Sequence, residues 1–132
     1  MRKLYPIFFA LLLAGFSACK KEPNRLPDLQ LKSGPGYISG DAVVSTGDTL
    51  RVKAIVNKTD HKLSVFYVSC AYDGVSLAQT MYTYNVTGNE TEKLEKEYTI
   101  ITRSTPGNER WVFRVNDTRG YTAETEILLR VQ

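Results

Sequence analysis

Cysteine, histidine and tryptophan are scarce in this sequence: 132 residues hold two Cys, one His and one Trp. Structural zinc takes four Cys or His ligands, so three such residues exclude a zinc-built fold. Two cysteines cannot form a disulfide framework either. No apolar run reaches the roughly 20 residues that span a bilayer; the run Leu4–Ala14 is short and interrupted by Pro6. Helical periodicity is missing as well. Glu90 to Glu97 comes nearest to it, and β-rich sequence follows directly. Charge of a single sign is also lacking, with 17 Lys and Arg against 14 Asp and Glu. What is present is an ordinary globular composition, 42% hydrophobic and 23% charged, at a size suited to one domain.

The first residues follow the order of a secretory signal peptide. Met1-Arg2-Lys3 is basic, Leu4–Ala14 is apolar, and Gly15-Phe16-Ser17-Ala18-Cys19 is a small-residue segment. The ending Phe16-Ser17-Ala18-Cys19 resembles the lipobox of bacterial lipoproteins, with Phe16 where that family usually carries an aliphatic residue. The resemblance implies cleavage before Cys19, acylation of Cys19, and, with Lys20 rather than Asp following, a place in the outer membrane. Whether the domain then faces the periplasm or the surface stays open. Several acyl chains attach a protein stably where one anchors it only marginally. The expected organisation is a lipoprotein signal peptide at 1–18, a lipidated Cys19 with a flexible tether over 19–27, and a folded domain over 28–132. The tether reading rests on Lys20–Pro27, which is polar, carries two prolines and shows no period. An ordinary cleavable signal that leaves Cys19 free is the alternative, and a Cys19–Cys70 disulfide would exclude lipidation.

This division changes what the charge means. Residues 28–132 hold 12 basic and 13 acidic side chains, so the pI of 8.9 belongs to the leader and tether. A nucleic-acid reader needs a basic stripe on its folded part. Nucleic acid is not an expected partner. With Cys19 lipidated, Cys70 is a lone thiol in an oxidising compartment, and burial is the expected way to keep it unreacted.

From Asp28 onward the recurring pattern is period-two alternation, the signature of strands. Leu50, Val52, Ala54 and Val56 form one apolar set; Trp111, Phe113 and Val115 form another; Ile127, Leu129 and Val131 a third. A looser alternation from Leu94 to Arg103 turns Tyr98 and Ile100 inward. Turn residues separate these runs, at Thr46-Gly47-Asp48, Asn57 to Asp60, Asp73-Gly74, Thr105 to Asn108 and Asp117 to Gly120. Short strands at regular spacing argue a sandwich or barrel. Gly47-Asp48-Thr49-Leu50 and the segment from Phe113 to Gly120 resemble the "G-D-x-L" and "V-x-D-x-x-G" motifs of bacterial immunoglobulin-like modules. The resemblance implies an all-β, immunoglobulin-like (Ig-like) antiparallel sandwich of two sheets and about seven strands. It lacks the antibody-type intersheet disulfide, and its Trp stands on the penultimate strand. The whole is similar to a small single-domain Ig-like lipoprotein of a Gram-negative bacterium.

Chemistry-bearing constellations are thin. His61 stands in a polar turn with no nucleophile elbow near it, and the turn aspartates share no ligand spacing for a hard cation. No catalytic residue, metal site or cofactor is expected. Tyrosine is the unusual feature, with eight copies. An Asp73-Gly74 two-residue hairpin pairs Tyr72 with Val75, Cys70 with Leu77, Val65 with Tyr82 and Leu63 with Tyr84. That register places Phe66, Val68, Cys70, Tyr72, Val75, Leu77 and Met81 in the core. It leaves Leu63, Val65, Tyr67, Tyr82 and Tyr84 outside, beside Val112 and Arg114. A one-residue bulge would exchange the two faces. Tyr67, Tyr82, Tyr84 and Arg114 are therefore the candidate ligand-binding set, against a glycan or a protein. The expected function is a membrane-anchored, non-catalytic binding module of the cell envelope. A structural or assembly accessory of an outer-membrane complex is the alternative, and an enzyme of unknown type the remote one.

Overall fold

The computed structural model describes residues 25–132. The signal-peptide and lipobox segment, with Cys19, and the tether residues 20–24 lie outside the described residues. Eight strands follow in chain order: β1 (Asp28–Leu31), β2 (Ala42–Val44), β3 (Thr49–Asn57), β4 (Leu63–Tyr72), β5 (Gln79–Asn85), β6 (Lys93–Ile101), β7 (Gly107–Asp117) and β8 (Thr122–Val131). One sheet has the order β1-β3-β6 and the other β2-β8-β7-β4-β5. All neighbours are antiparallel except β2, which runs parallel to β8.

Alternation decides which side chains meet between the sheets. Val52, Ala54 and Val56 of β3 and Leu94 and Ile100 of β6 face Phe66, Val68 and Cys70 of β4. Trp111, Phe113 and Val115 of β7 and Ile127 and Leu129 of β8 complete this core, all buried. Leu50 is half-buried at its edge. Cys70 is 2% exposed and forms no disulfide among the described residues, and burial pushes its thiol up to about 11.

The two sequence motifs are turn devices. Asp48 accepts a hydrogen bond from the Ser45 N–H at 2.9 Å, while Gly47 supplies the positive φ of 72° that this turn needs. Asp117 is buried, and its Oδ1 accepts from the N–H groups of Arg119 (2.8 Å) and Tyr121 (3.0 Å), closing the β7–β8 hairpin.

The outer face of the three-stranded sheet is a ladder of ion pairs. Arg51–Glu97, Lys53–Glu95 and Lys58–Glu92 each stand at 3.0 Å. The Lys- and Glu-rich stretch that came nearest to a helix is thus mostly strand, charged on its solvent side. Gly88–Thr91, just before β6, forms a 3-10 turn.

Chain entry is fixed by polar contacts. The Arg25 guanidinium pairs with Asp60 at 3.2 Å, and the Thr59 hydroxyl donates to the carbonyls of Arg25 and Leu26, both at 2.9 Å. Pro27 is buried. The polypeptide is therefore already held to the β3–β4 loop three residues before β1.

Candidate functional site

The structure divides the tyrosine set. Asp73 and Gly74 do form the expected turn, with φ of 51° and 78° and the Val75 N–H donating to the Tyr72 carbonyl at 3.0 Å. The strands do not pair directly from it. Arg103 grips the Asp73 carboxylate with both terminal nitrogens. The Asn108 N–H donates to the same carboxylate at 3.0 Å. Arg110 holds the Ser76 carbonyl at 2.9 Å. Residues 75–78 are drawn away from β4, and β4–β5 pairing resumes only at Cys70 opposite Gln79.

That widening alone preserves which side chains face inward, because it shifts the register by two residues. A bulge between Val68 and Ser69 then shifts it by one more, so that Tyr82 opposes Val68 and Tyr84 opposes Phe66. Tyr82 and Tyr84 consequently face the intersheet space and pack on the core. The outward placement expected for them is corrected, and Tyr72, Val75, Leu77 and Met81, expected in the core, are exposed instead. Leu63 is likewise buried rather than outward, because a second irregularity between Leu63 and Val65 in the β4–β7 pairing turns it inward.

The inward tyrosines close one flank of the sandwich. Among the described residues no strand joins β5 of one sheet to β6 of the other, and without the tyrosines the core would lie open along that side. Tyr82 stacks on Tyr84 (centroids 6.5 Å apart) and meets Tyr98 at 5.8 Å, which meets Trp111 at the same distance. Lys96 Nζ sits 3.6 Å from the Tyr84 ring centroid, and the Tyr84 hydroxyl donates to Glu90 at 2.7 Å. That bond to a carboxylate raises the Tyr84 pKa. These ring faces are occupied by neighbours.

Tyr67 and Arg114 are brought together on the outer face of the five-stranded sheet, directly opposite across β4 and β7. Arg114 is tied sideways to Glu124 at 2.7 Å, and Val112 beside it is only 4% exposed. His61 stacks on Tyr121 with centroids 6.1 Å apart. It lies before β4 while Cys70 lies near that strand's far end, about 30 Å of extended chain away, so the two cannot act as a pair. Among the described residues no group of three or more His, Cys, Asp or Glu side chains could hold a metal ion. No described helix is long and apolar enough to cross a membrane.

Sequence reasoning missed a cleft farther along the same outer face. Its volume is about 820 Å³, and Val43, Val75, Ser76, Arg110, Leu128 and Arg130 are among its lining residues. The displaced loop after Gly74 forms one wall and β2 the other, with β7 and β8 as the floor. Val43 (63%), Val75 (57%) and Leu128 (45%) stand exposed around it. One signal was present in the sequence. Leu128 is an apolar residue in the outward, otherwise charged set Glu124, Glu126 and Arg130.

No family model matches the chain, and no curated protein does. Among solved structures it is similar to a chain in the structure of T cell specificity and activation by the bacterial superantigen toxic shock syndrome toxin-1. There the identity is 9%, over 80% of this chain and 99% of that one, with a TM-score of 0.54. It is also similar to part of a family 123 glycoside hydrolase from Clostridium perfringens, at 8% identity and a TM-score of 0.52. That match covers 80% of this chain but only 27% of the enzyme. Likeness at such identity is likeness of fold. The split of the first strand between sheets, the β8-β7-β4-β5 order and the crossing connections agree with it. The described domain is a small Ig-like β-sandwich. β1 and β2 are separate strands in separate sheets, which brings the strands among the described residues to eight.

Proposed function

We propose that this Ig-like chain is a lipid-anchored, non-catalytic binding module of the cell envelope, held at Cys19 in the outer membrane of a Gram-negative bacterium. The ligand, a glycan or a protein, meets it on the outer face of the five-stranded sheet. The observation that carries this reading is polarity along the strands. The polypeptide enters at the β3–β4 loop, which the Thr118 N–H joins to the β7–β8 turn through the Lys62 carbonyl at 2.9 Å. The cleft opens beside Asn108 and Arg110, toward the start of β7. Asp117 at the end of β7 is about 30 Å from Gly107 at its start.

Six residue steps separate Cys19 from Arg25, a reach of at most about 20 Å. A chain acylated at Cys19 would hold its entry end near the bilayer and turn the cleft outward. Exposed aliphatic side chains clustered at such an end are the pattern of an interaction surface. The test begins with the anchor: Cys19→Ala should move the protein from the membrane fraction to the soluble fraction. A variant that stays membrane-bound would overturn the anchoring half of the proposal.

A further inference from the structure

The partner can be narrowed from an edge of the five-stranded sheet, on the reading above that this sheet binds. We propose that β5 takes up an extended segment of another envelope protein as a sixth strand, one that alternates aliphatic and uncharged polar side chains.

Backbone groups are the first ground. β5 ends its sheet, with β4 on one side and no described strand on the other. Beyond its bulge it pairs regularly with β4 from Tyr82 onward, and the Val86 N–H donates to the Ser64 carbonyl at 2.9 Å. Such bonded positions alternate along an antiparallel ladder. The N–H and C=O groups of Tyr82 and Tyr84 therefore face β4, and those of Thr83 and Asn85 face outward. Thr87 is still extended, at φ −137° and ψ 164°. Proteins blunt such edges with charge, proline or shortness. The other edges follow that rule: β1 has four residues and β2 three, while β6 carries Lys93, Glu95, Lys96 and Glu97. β5 has seven residues with neither charge nor proline. An open row of main-chain donors and acceptors is matched by another extended main chain.

Side chains are the second ground. An added strand sets alternate residues opposite Tyr82 and Tyr84, which are half-buried against the core, and the others opposite exposed Thr83 and Asn85. Aliphatic groups suit the first row and hydroxyls or amides the second. Lys96 lies on the Tyr84 ring and Glu90 accepts from its hydroxyl, so this flank holds both signs of charge and selects neither.

The anchor decides between a foreign strand and a second copy. Two β5 strands paired antiparallel about a two-fold axis would set the entry end of one domain beside the cleft end of the other, about 30 Å away along the strands. A reach of at most about 20 Å from Cys19 to Arg25 cannot anchor both domains with their clefts outward. The chain's own tether, with Pro23 and the charges of Lys20, Lys21 and Glu22, makes a poor strand for this edge.

The experiment uses the intact chain in detergent micelles and reads amide hydrogen exchange by NMR. The probe is a capped heptapeptide alternating Val and Thr, set beside the same peptide fully N-methylated, which offers no N–H. In the free chain the Thr83 and Asn85 amides should exchange fast and those of Tyr82 and Tyr84 slowly. The heptapeptide at millimolar concentration should slow Thr83 and Asn85 at least about tenfold, and the N-methylated form should leave them unchanged. Thr83→Pro removes an outward donor and no bond to β4, and it should abolish the slowing at Asn85. The N-methylated comparison is made on the unmutated chain and decides the point even where Thr83→Pro does not fold. No slowing by the heptapeptide, equal slowing by both peptides, or slow exchange at Thr83 and Asn85 in the free chain would overturn the proposal. A dimer in the same micelles that Thr83→Pro separates would overturn the foreign occupant. A heptapeptide that shifts the methyl signals of Val43, Val75 and Leu128 but spares Thr83 and Asn85 would overturn the edge and leave the outer-face reading standing.

Discussion

Replacing Tyr82 with alanine tests the inverted hairpin. The ring is half-buried against the core and contacts Tyr84 and Tyr98 at centroid distances of 6.5 and 5.8 Å. Truncation removes on the order of 100 Å² of buried ring surface, about 2.5 kcal/mol at ~25 cal/mol per Å². Each lost aromatic pair adds about 0.5–1.5 kcal/mol, and collapse of this open flank into the gap recovers part of the total. The expected loss is about 3 kcal/mol. For a domain of this size that lowers Tm by roughly 12 °C, at about 4 °C per kcal/mol. Tyr82→Phe should change stability by less than about 0.5 kcal/mol, since the ring provides the packing. Leu77→Ser is the matched control, because the two-residue hairpin register would bury Leu77 while the structure leaves it 83% exposed. It should be neutral within about 0.5 kcal/mol. Urea unfolding followed by circular dichroism, with unchanged slopes, supplies the numbers. A Tyr82→Ala loss below about 1 kcal/mol together with a Leu77→Ser loss above about 2 kcal/mol would refute the bulged register.

Two further outcomes follow from titratable groups. The Arg103 guanidinium, with the Asn108 N–H, holds the Asp73 carboxyl down to about 2 from an ordinary 3.8. Its contribution to stability is therefore complete above pH ~4 and lost as pH falls toward ~2. Urea midpoints measured from pH 5 to 2 should fall less steeply in Asp73→Asn than in the wild type; equal slopes would contradict the Arg103–Asp73 clasp. Cys70, with its thiol raised to about 11 by burial, should resist Ellman's reagent at pH 8 in the folded protein and react fully in 8 M urea. Rapid reaction of that thiol without denaturant would contradict its place in the core.

The strands were legible where side-chain alternation spoke for itself. Val52, Val56, Trp111, Phe113, Val115, Ile127 and Leu129 are buried as their period-two pattern required, because each strand has one face on the core and one in solvent. Tyr98 and Ile100 turn inward for the same reason. The outward placement of Tyr82 and Tyr84 failed because it was carried from the Asp73-Gly74 turn across a loop and a bulge. The turn's backbone came out as expected, but long-range contacts from Arg103 and Arg110 govern the residues after it. Local sequence does not encode those contacts.

The strand's own pattern held better information. Tyr82, Tyr84 and Val86 form its apolar set, and all three face the core side, with Val86 buried. The cleft was less legible, since its walls come from β2 and the displaced loop, 32 residues apart at Val43 and Val75. Only their meeting over β7 and β8 makes a concavity.

Photo-crosslinking in the cell that makes the protein tests most directly whether the domain meets a partner at the end away from its anchor. A benzophenone side chain is placed at position 75 beside the cleft and, in a second strain, at position 58 in the loop that holds Arg25. The account predicts a discrete protein adduct from position 75 and no such adduct from position 58. Absence of an adduct from position 75, or protein adducts from position 58 alone, would contradict it.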